Sequence, residues 1–377
     1  MINTAIYLDN NATTPLAQES LEALIKEHTE PVGNPSSIHC FGQAAKKRLE
    51  DYRDIIASYL AVPSDQIIFT SGGTESMNLL THGMLENKLN THVITSDVEH
   101  SCIYKDLTML QKRGTHVSFL QAGLHGSIQP DQIKKAILPS TRMIILSAVN
   151  SETGVKTDID AIAQIAKKND IAFIVDAVAL LGKETFSIPR GVSAMGFSGH
   201  KLHAPKGIGC VFVRPELDLY PFITGGNQEF NRRSGTQNLS GIAAMAAAVE
   251  CLYEHLPSAT EKMTELRNRL EAYLIEQAAP VIINGFGKRI CNTSNLCFPG
   301  IQGEDLIIAL DMKGVAVSHG SACSSGALEP SRILLNMGIS HPFARSSIRI
   351  SLSRMTTEEE IKSASSLIAK TIKDLRS

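Results

Sequence analysis

Residues 198–209 read SGHKLHAPKGIG, and Lys201 stands in this run among small residues, directly after the apolar segment 194–197. A lysine at the end of a predicted strand is either a surface residue at the start of a loop or a partly desolvated amine. Desolvation lowers the pKa of a lysine and frees its lone pair for Schiff-base formation. A lone lysine favours the surface interpretation, so the choice depends on the residues that the rest of the chain places around it.

The composition is that of a large globular chain without a charge bias. The sequence has 377 residues, 43% of them hydrophobic, with 36 basic and 38 acidic side chains and a formal net charge of −2. This balance argues against a nucleic-acid or membrane-surface partner, and no segment approaches the ~20 apolar residues of a membrane span. The first residues lack a signal-peptide pattern, and the seven cysteines are scattered, so we expect a reduced, cytoplasmic location.

Alternating strands and helices predict an α/β fold. Near-continuous apolar runs are typical of strands that are covered on both faces. Such runs lie at 67–69, 92–96, 116–120, 142–149, 172–178, 194–198 and 209–214. Amphipathic helical patterns separate most of them, which indicates a mainly parallel sheet flanked by helices.

The sequence pattern changes after the last of these strands. An alanine-rich helix leads through Pro257 into a charged helix, and short strands and a terminal helix follow. We therefore expect a second, smaller α+β domain. The predicted limits are residues 15–256 for the large domain, and residues 1–14 together with 257–377 for the small domain.

Polar residues follow several strands at the sheet edge where ligands of open α/β folds bind. The Ser-Gly-Gly-Thr turn at 71–74 either binds an anion at a helix N-terminus or merely caps the helix. Asp176 either pairs with a protonated pyridine nitrogen or forms a structural salt bridge. His100 stacks on a flat ring or caps a helix, and Asn150 bonds a phenolic oxygen or closes a turn. Together with Lys201, they favour a pyridoxal phosphate site.

These motifs resemble those of the pyridoxal-phosphate-dependent cysteine desulfurases of the iron–sulfur-assembly and nitrogen-fixation type, within the fold-type I, class-V aminotransferases. The resemblance runs nearly end to end. It rests on YLDNNATTP at 7–15, GNPSS at 33–37, TSGGTES at 70–76, EH at 99–100, NSETG at 150–154, VDA at 175–177, SGHK at 198–201, RSGT at 233–236 and GSAC at 320–323. It implies a large cofactor-binding domain with a seven-stranded sheet, and a small domain that carries a catalytic cysteine.

The resemblance implies a role for each matching residue around the cofactor. Lys201 is expected to hold pyridoxal phosphate as a Schiff base and later to move protons. Asp176 is expected to pair with the pyridinium nitrogen, and His100 to stack on the ring and take part in catalysis. The expected contacts of the phosphate and the ring hydroxyl are Gly73, Thr74, Asn150, Ser198, His200 and, from the neighbouring subunit of a homodimer, Thr236.

On the substrate side, Arg349 matches the arginine that binds the substrate carboxylate, a task suited to a bidentate guanidinium. Asn11 and Asn150 are expected beside it. Cys323, among small polar residues at 318–326, is the expected nucleophile, since a thiol that must travel needs such a loop. The implied reaction takes sulfur from L-cysteine, leaves L-alanine and a persulfide on Cys323, and passes the sulfur to an acceptor such as an iron–sulfur scaffold protein.

One position departs from the family pattern. Three residues after the aspartate the family carries a glutamine, but this chain has Ala179. Loss of a hydrogen bond to a charged group costs ~1.5–3 kcal/mol. We therefore expect an altered environment at the ring oxygen and slower turnover, rather than lost cofactor binding. Two alternatives stay open: a selenocysteine lyase or cysteine-sulfinate desulfinase of the same fold, and a degenerate, non-enzymatic homologue.

The remaining cysteines and histidines give no sign of a metal site. The six cysteines other than Cys323 are expected to be mostly small core residues, and Cys210, inside an apolar strand, is the clearest case. His319 stands four residues before Cys323, but no further ligand is evident beside the pair. We therefore predict no bound metal.

Overall fold

The computed structural model describes residues 5–86, 90–320 and 329–377. Up to the last strand of the central sheet, its elements are β1 (Ile6–Tyr7), α1 (Gln18–Thr29), α2 (Cys40–Tyr59), β2 (Ile67–Thr70), α3 (Gly73–Leu85), β3 (His92–Ser96), α4 (Ser101–Lys112), β4 (His116–Leu120), α5 (Pro130–Ala136), β5 (Thr141–Ser147), α6 (Ile159–Lys168), β6 (Ala172–Asp176), β7 (Ala194–Ser198) and β8 (Gly209–Val213). The elements that follow are α7 (Leu239–Glu250), α8 (Leu252–Gln277), β9 (Ile282–Ile283), β10 (Thr293–Cys297), α9 (Gly303–Asp311), β11 (Val315–Ala316), α10 (Arg332–Asn336), α11 (His341–Arg345), β12 (Ser347–Ser351) and α12 (Glu358–Arg376).

The central sheet has seven strands in the order β2-β8-β7-β6-β5-β3-β4. Neighbouring strands are parallel except at β8, which runs antiparallel to both β2 and β7. The predicted α/β fold with a mainly parallel seven-stranded sheet is confirmed. Helices cover both faces because successive strand residues point to opposite sides: Ile144 and Leu146 of β5 join one buried cluster, and Met143 and Ile145 join the other.

β5 and β6 end at Ser147 and Asp176, two residues before their predicted ends. The chain leaves the hydrogen-bonded ladder at these points and turns into a cleft at the carboxyl edge of the sheet. The residues that follow the strands therefore lie at the cleft rather than in the sheet. Ligands of open α/β folds bind at this edge.

The smaller lobe is built on an antiparallel sheet in the order β12-β10-β9, with α8, α9 and α12 packed around it. The N-terminal strand β1 pairs in parallel with β11, so the start of the chain joins this lobe. Pro257 lies inside α8, and the break between the two long helices falls at Cys251 instead. Pro257 is the sixth residue of α8, beyond the first turn, so the helix lacks one N–H hydrogen bond at this point. The domain limits stay a prediction.

No helix of the described segments is long and apolar enough to cross a membrane.

Candidate active site

A cavity of about 180 Å³ opens at the carboxyl ends of β5, β6 and β7. It brings together most of the predicted site residues, which come from both lobes. Those that line it are Asn11, Gly73, Thr74, His100, Asn150, Asp176, Ser198, His200, Lys201 and Arg349. Thr236 does not line the cavity and is exposed to solvent. Cys323 lies outside the described residues.

Lys201 stands in a 3₁₀ turn, Gly199–Lys201, that directly follows β7. Its ammonium group donates hydrogen bonds to the backbone oxygens of Asn11 and Ala12, the latter at 2.9 Å. The side chain is half-buried beneath this N-terminal segment rather than extended into solvent. The lysine is therefore placed as a cavity amine, and the surface interpretation does not describe its surroundings.

Asp176 ends β6 and is 7% exposed. Its Oδ1 accepts a hydrogen bond from the backbone N–H of Val178 at 2.9 Å. Burial raises the pKa of Asp176, and the nearby His100 and Lys201 partly oppose this rise. A buried carboxylate of this kind is stabilised by a cationic partner, and a protonated pyridine nitrogen would provide one.

His100 occupies the N-cap position of α4, where its Nδ1 accepts a hydrogen bond from the backbone N–H of Cys102 at 3.2 Å. One ring nitrogen of His100 therefore acts as a helix cap, as one of the two interpretations expects. The same ring also lines the cavity, so the capping bond fixes the orientation of an imidazole that faces the site. The cap and the site roles are compatible here.

The first turn of α3 lies at the cavity, where Gly73 and Thr74 line it. α3 begins at Gly73, where N–H groups of the first turn lack helical partners. A Cβ atom at Gly73 would lie 2.7 Å from Cγ2 of Val178 and 3.6 Å from Cβ of Ser198, so the turn is too close-packed for a side chain. Burial lowers the pKa of His200 to about 4, and Lys201 adds to the shift, so this imidazole is neutral at pH 7.

Arg349 lies at the opposite side of the cavity, on β12, and is 2% exposed. Nη2 donates to Asp9 at 2.7 Å and Nη1 donates to the backbone oxygen of Ser151 at 3.2 Å. Its Nε is buried and has no hydrogen-bond partner among the described residues. A buried, unpaired N–H is costly, and a carboxylate ligand would satisfy it.

The two asparagines are more fully engaged than the sequence suggests. Asn11 donates to Ser151 at 3.0 Å and to Thr293 at 2.8 Å, so both of its amide hydrogens are used within the chain. The oxygen of Asn150 accepts the N–H groups of Glu152 and Thr153, both at 3.0 Å, as a turn residue does. Their polar atoms shape the cavity wall, and Asn150 retains one amide hydrogen beyond its bond to a backbone oxygen.

Lys183 is a cavity residue that the sequence did not single out. It is 2% exposed, and burial lowers the pKa of its ammonium group to about 8. Its Nζ donates to the backbone oxygen of Lys201 at 2.9 Å. No local pattern identifies it, since the contact joins two loops. Ala179 also lines the cavity, where its methyl group offers no hydrogen bond.

The prediction that most of the other cysteines are core residues is correct for only half of them. Cys210, Cys291 and Cys297 are buried. Cys40 is exposed, Cys251 is half-buried, and Cys102 lines the cavity with its sulfur 3.0 Å from Nδ1 of His100. Among the described residues, no group of three or more His, Cys, Asp or Glu side chains is placed to hold a metal ion.

The residues present fit pyridoxal phosphate. A helix start without room for a side chain suits the phosphate, and a buried carboxylate suits the pyridine nitrogen. The half-buried amine of Lys201 suits the aldehyde carbon, and the unpaired Nε of Arg349 suits the carboxylate of an amino-acid substrate.

Comparisons with known proteins agree with this geometry. The family model described as aminotransferase class-V matches residues 6–363. The cysteine desulfurase IscS of Dictyoglomus turgidum is 38% identical over 376 residues, which covers 98% of this chain and 95% of that protein. A solved NifS-like protein superposes with a TM-score of 0.92 at 32% identity, covering 99% of this chain and 100% of the other.

A second solved structure, titled SspA in complex with cysteine, has a TM-score of 0.82 at 30% identity and covers 94% of this chain and 100% of its own. The resemblance drawn from the sequence motifs is thus confirmed over nearly the whole length. This chain belongs to the class-V aminotransferase family, among its cysteine desulfurases.

Proposed function

We propose that this protein is a pyridoxal-phosphate-dependent enzyme that removes the sulfur atom of L-cysteine, releases L-alanine and collects the sulfur as a persulfide on Cys323. The observation that carries the proposal is the position of Lys201, whose amine lies in one cavity with Asp176 and His100. The curated relatives named cysteine desulfurase, and the related structure that holds cysteine, support the choice of substrate.

When bound, pyridoxal phosphate supplies an electron sink that stabilises negative charge at the Cα of the amino acid. The chain's own residues place and protect that reaction. Asp176 keeps the pyridine nitrogen protonated, because a buried carboxylate favours a cationic partner. Gly73 and Thr74 present the N–H groups of the first turn of α3 to the phosphate, and neutral His200 lies beside them.

Arg349 and Lys201 act on the substrate itself. The guanidinium of Arg349 is held by Asp9 and Ser151, and its Nε, which has no partner among the described residues, is the donor left for the carboxylate. The amine of Lys201 is the group placed to take the proton from Cα and return it. The proton transfer takes place in a cavity of about 180 Å³.

The sulfur step balances without an outside oxidant. The thiolate of Cys323 attacks the sulfur of the substrate, the S–S bond forms, and the bond between Cβ and sulfur breaks with its electron pair moving to the carbon side. Cβ is then protonated, so the substrate carbon is reduced while the two sulfur atoms reach the persulfide level. The products are L-alanine and a sulfur atom that an acceptor thiol can take.

The proposal also includes a homodimer, in which Thr236 serves the phosphate of the neighbouring subunit, and a cytoplasmic location. An iron–sulfur scaffold protein is the proposed acceptor of the sulfur. Thr236 is exposed and does not line the cavity of its own chain, which supports a role toward a second copy. The domain limits, residues 15–256 for the large domain and residues 1–14 with 257–377 for the small domain, are part of the same proposal.

Mass spectrometry of the protein after exposure to L-cysteine tests the proposal. We expect a mass increase of one sulfur atom on the peptide that contains Cys323, reversed by a thiol reductant. The Cys323→Ala variant should release no sulfide from cysteine. If that variant keeps most of the activity, a selenocysteine lyase or cysteine-sulfinate desulfinase becomes the better interpretation. A protein that binds no pyridoxal phosphate at all would favour the non-enzymatic homologue.

A further inference from the structure

Three consecutive non-glycine residues in the segment before Thr236 adopt left-handed backbone conformations. Glu229, Phe230 and Asn231 have φ angles of 46°, 57° and 65°. Side chains with a Cβ atom rarely adopt this region, and such residues persist only where surrounding contacts hold them. A run of three such residues therefore requires contacts that hold the segment in this conformation.

A buried ion pair between Arg53 and Glu229 holds this segment in place. The carboxylate of Glu229 accepts hydrogen bonds from Nη1 of Arg53 at 2.7 Å, from Nη2 of Arg53 at 2.9 Å and from the backbone N–H of Phe69 at 2.8 Å. Both side chains are almost fully buried, with 2% and 0% exposed. Arg53 is fixed in turn by a bond to the backbone oxygen of Ile67 at 2.8 Å. Removal of one partner would leave an unpaired charge in the interior.

In the corner formed by residues 228–237, both neighbours of Thr236 also make contacts. Nε2 of Gln237 donates to the carboxylate of Glu229 at 3.0 Å, and the backbone N–H of Gly235 donates to Oε1 of Gln228 at 3.0 Å. Thr236 itself is exposed between these two anchored residues. The contacts therefore anchor the residues on either side of the threonine, while Thr236 itself stays exposed.

The surface around this corner suits a second copy of the chain. Tyr220, Phe222, Ile223 and Phe230, all on the same segment, are between 38% and 47% exposed. A segment that exposes several apolar side chains is a candidate interaction surface. The cavity of one chain contains no residue of its own 220–237 segment, so the segment is available to a neighbour.

We propose that Arg53 and Glu229 are positioning residues, and that their buried pair presents Thr236 to the phosphate-binding end of the cavity in a second copy of this chain. The proposal rests on the homodimer included in the proposed function. The Arg53–Glu229 pair does not line the cavity of its own chain. Its proposed role is cofactor binding in the other subunit, rather than the stability of its own subunit.

The first test compares homodimers of single variants. The Glu229→Gln chain keeps the shape of the side chain but leaves Arg53 with only the partly exposed Glu50 as a charged partner. We expect its affinity for pyridoxal phosphate to fall about tenfold, the loss associated with a single misplaced hydrogen bond to a charged group. Glu50→Gln is the matched control, because Glu50 also contacts Arg53, at 3.0 Å, but is 41% exposed. We expect that control to bind the cofactor as the unaltered chain does.

The second test uses mixed dimers and separates the two subunits. A Glu229→Gln subunit is paired with a Lys201→Ala subunit, so the one remaining Lys201 receives Thr236 from an undamaged segment. Pyridoxal phosphate is titrated, trapped with borohydride, and counted as label on Lys201. We expect the half-saturation point to return to that of the unaltered protein. The reverse pair joins an unaltered chain to a subunit that carries both Glu229→Gln and Lys201→Ala. Its affinity for pyridoxal phosphate should remain tenfold weaker.

The outcome that overturns the proposal is a mixed dimer as weak as the Glu229→Gln homodimer, because the pair would then act within its own subunit. Native mass spectrometry reports the dimers directly. If the unaltered chain forms none, the homodimer of the proposed function fails and this proposal fails with it, whereas persulfide formation on Cys323 is unaffected by that result. Should Glu229→Gln fail to fold, Arg53→Lys keeps the charge, loses the two-point contact, and is expected to show a smaller loss with the same mixed-dimer recovery.

Discussion

Nζ of Lys183 lies 2.9 Å from the backbone oxygen of Lys201, so a second buried amine supports the turn that carries the first. Cys291 also contacts this loop, through a bond from its sulfur to the backbone oxygen of Lys183. Burial and the positive charge of Arg354 lower the pKa of Lys183, and burial and Lys183 lower the pKa of His203. Lys183 thus belongs to a cluster of interior groups whose protonation is coupled to folding.

This relationship predicts a pH-dependent contribution to stability. Burial lowers the pKa of Lys183 from 10.5 to about 8, so the unfolded chain binds a proton between these values that the folded chain has lost. Stability from this group therefore rises with pH across the window from about 8 to 10.5. Relative to the Lys183→Met variant, the unaltered chain should gain ~1–3 kcal/mol in its free energy of unfolding across that window. Urea unfolding at several pH values measures the difference, with the exposed Lys206→Met as the control. A difference that does not change with pH would contradict the prediction.

Arg349→Lys is expected to weaken substrate binding and leave the cofactor in place. The lysine keeps a positive charge but cannot offer Nε while bonding to Asp9 and Ser151. The KM for L-cysteine should rise ~10–100-fold, the range that corresponds to one or two charge-assisted hydrogen bonds. Steady-state kinetics and a cofactor titration together measure this, and Arg345→Lys on the neighbouring helix is the control. An unchanged KM with reduced thermal stability would assign Arg349 to structure alone.

Gly73→Ala is expected to disturb the phosphate end. The new Cβ would lie 2.7 Å from Cγ2 of Val178, so the start of α3 must shift. We predict about tenfold weaker binding of pyridoxal phosphate, measured by fluorescence titration. Combining it with Val178→Ala removes the clashing methyl group and should restore most of the affinity. If the double variant binds as weakly as the single variant, close packing is not the reason for glycine here.

Ala179→Gln tests the departure from the family pattern. Ala179 lines the cavity, so a glutamine there could donate a hydrogen bond to the ring oxygen of the cofactor. We expect the pH midpoint of the absorption change of the bound cofactor to move downward and the turnover rate to increase, since a donor stabilises the ionised oxygen. Spectra recorded across a pH series and initial rates measure the two effects. No change in either would show that another group already fills that role.

Much of the site follows from the order of strands along the chain. Asp176, Lys201 and Asn150 were predicted together because each follows a buried strand, and parallel strands place their carboxyl ends at one edge. Arg349 could not be predicted in this way, because an arginine on a short strand has no local signal. Only the resemblance to the family assigned it to the substrate.

Other features depend on contacts that no local pattern contains. Arg53 and Glu229 are 176 positions apart, and Lys183 meets Lys201 across two loops. The engagement of Asn11 with Thr293 likewise joins the first and last parts of the chain. Periodicity reports which face of an element is buried, but not which distant polar group lies against it. The short helices α10 and α11 were missed for a related reason, since five residues give too little periodicity to recognise.

The most direct measurement of the central claim is borohydride reduction of the protein loaded with pyridoxal phosphate, followed by peptide mapping. Two buried or half-buried amines, Lys201 and Lys183, lie at the same cavity, so the map discriminates between them. We predict one stable phosphopyridoxyl label per chain, on Lys201, with none on Lys183. A label on Lys183, or a protein that takes up no label at all, would contradict it.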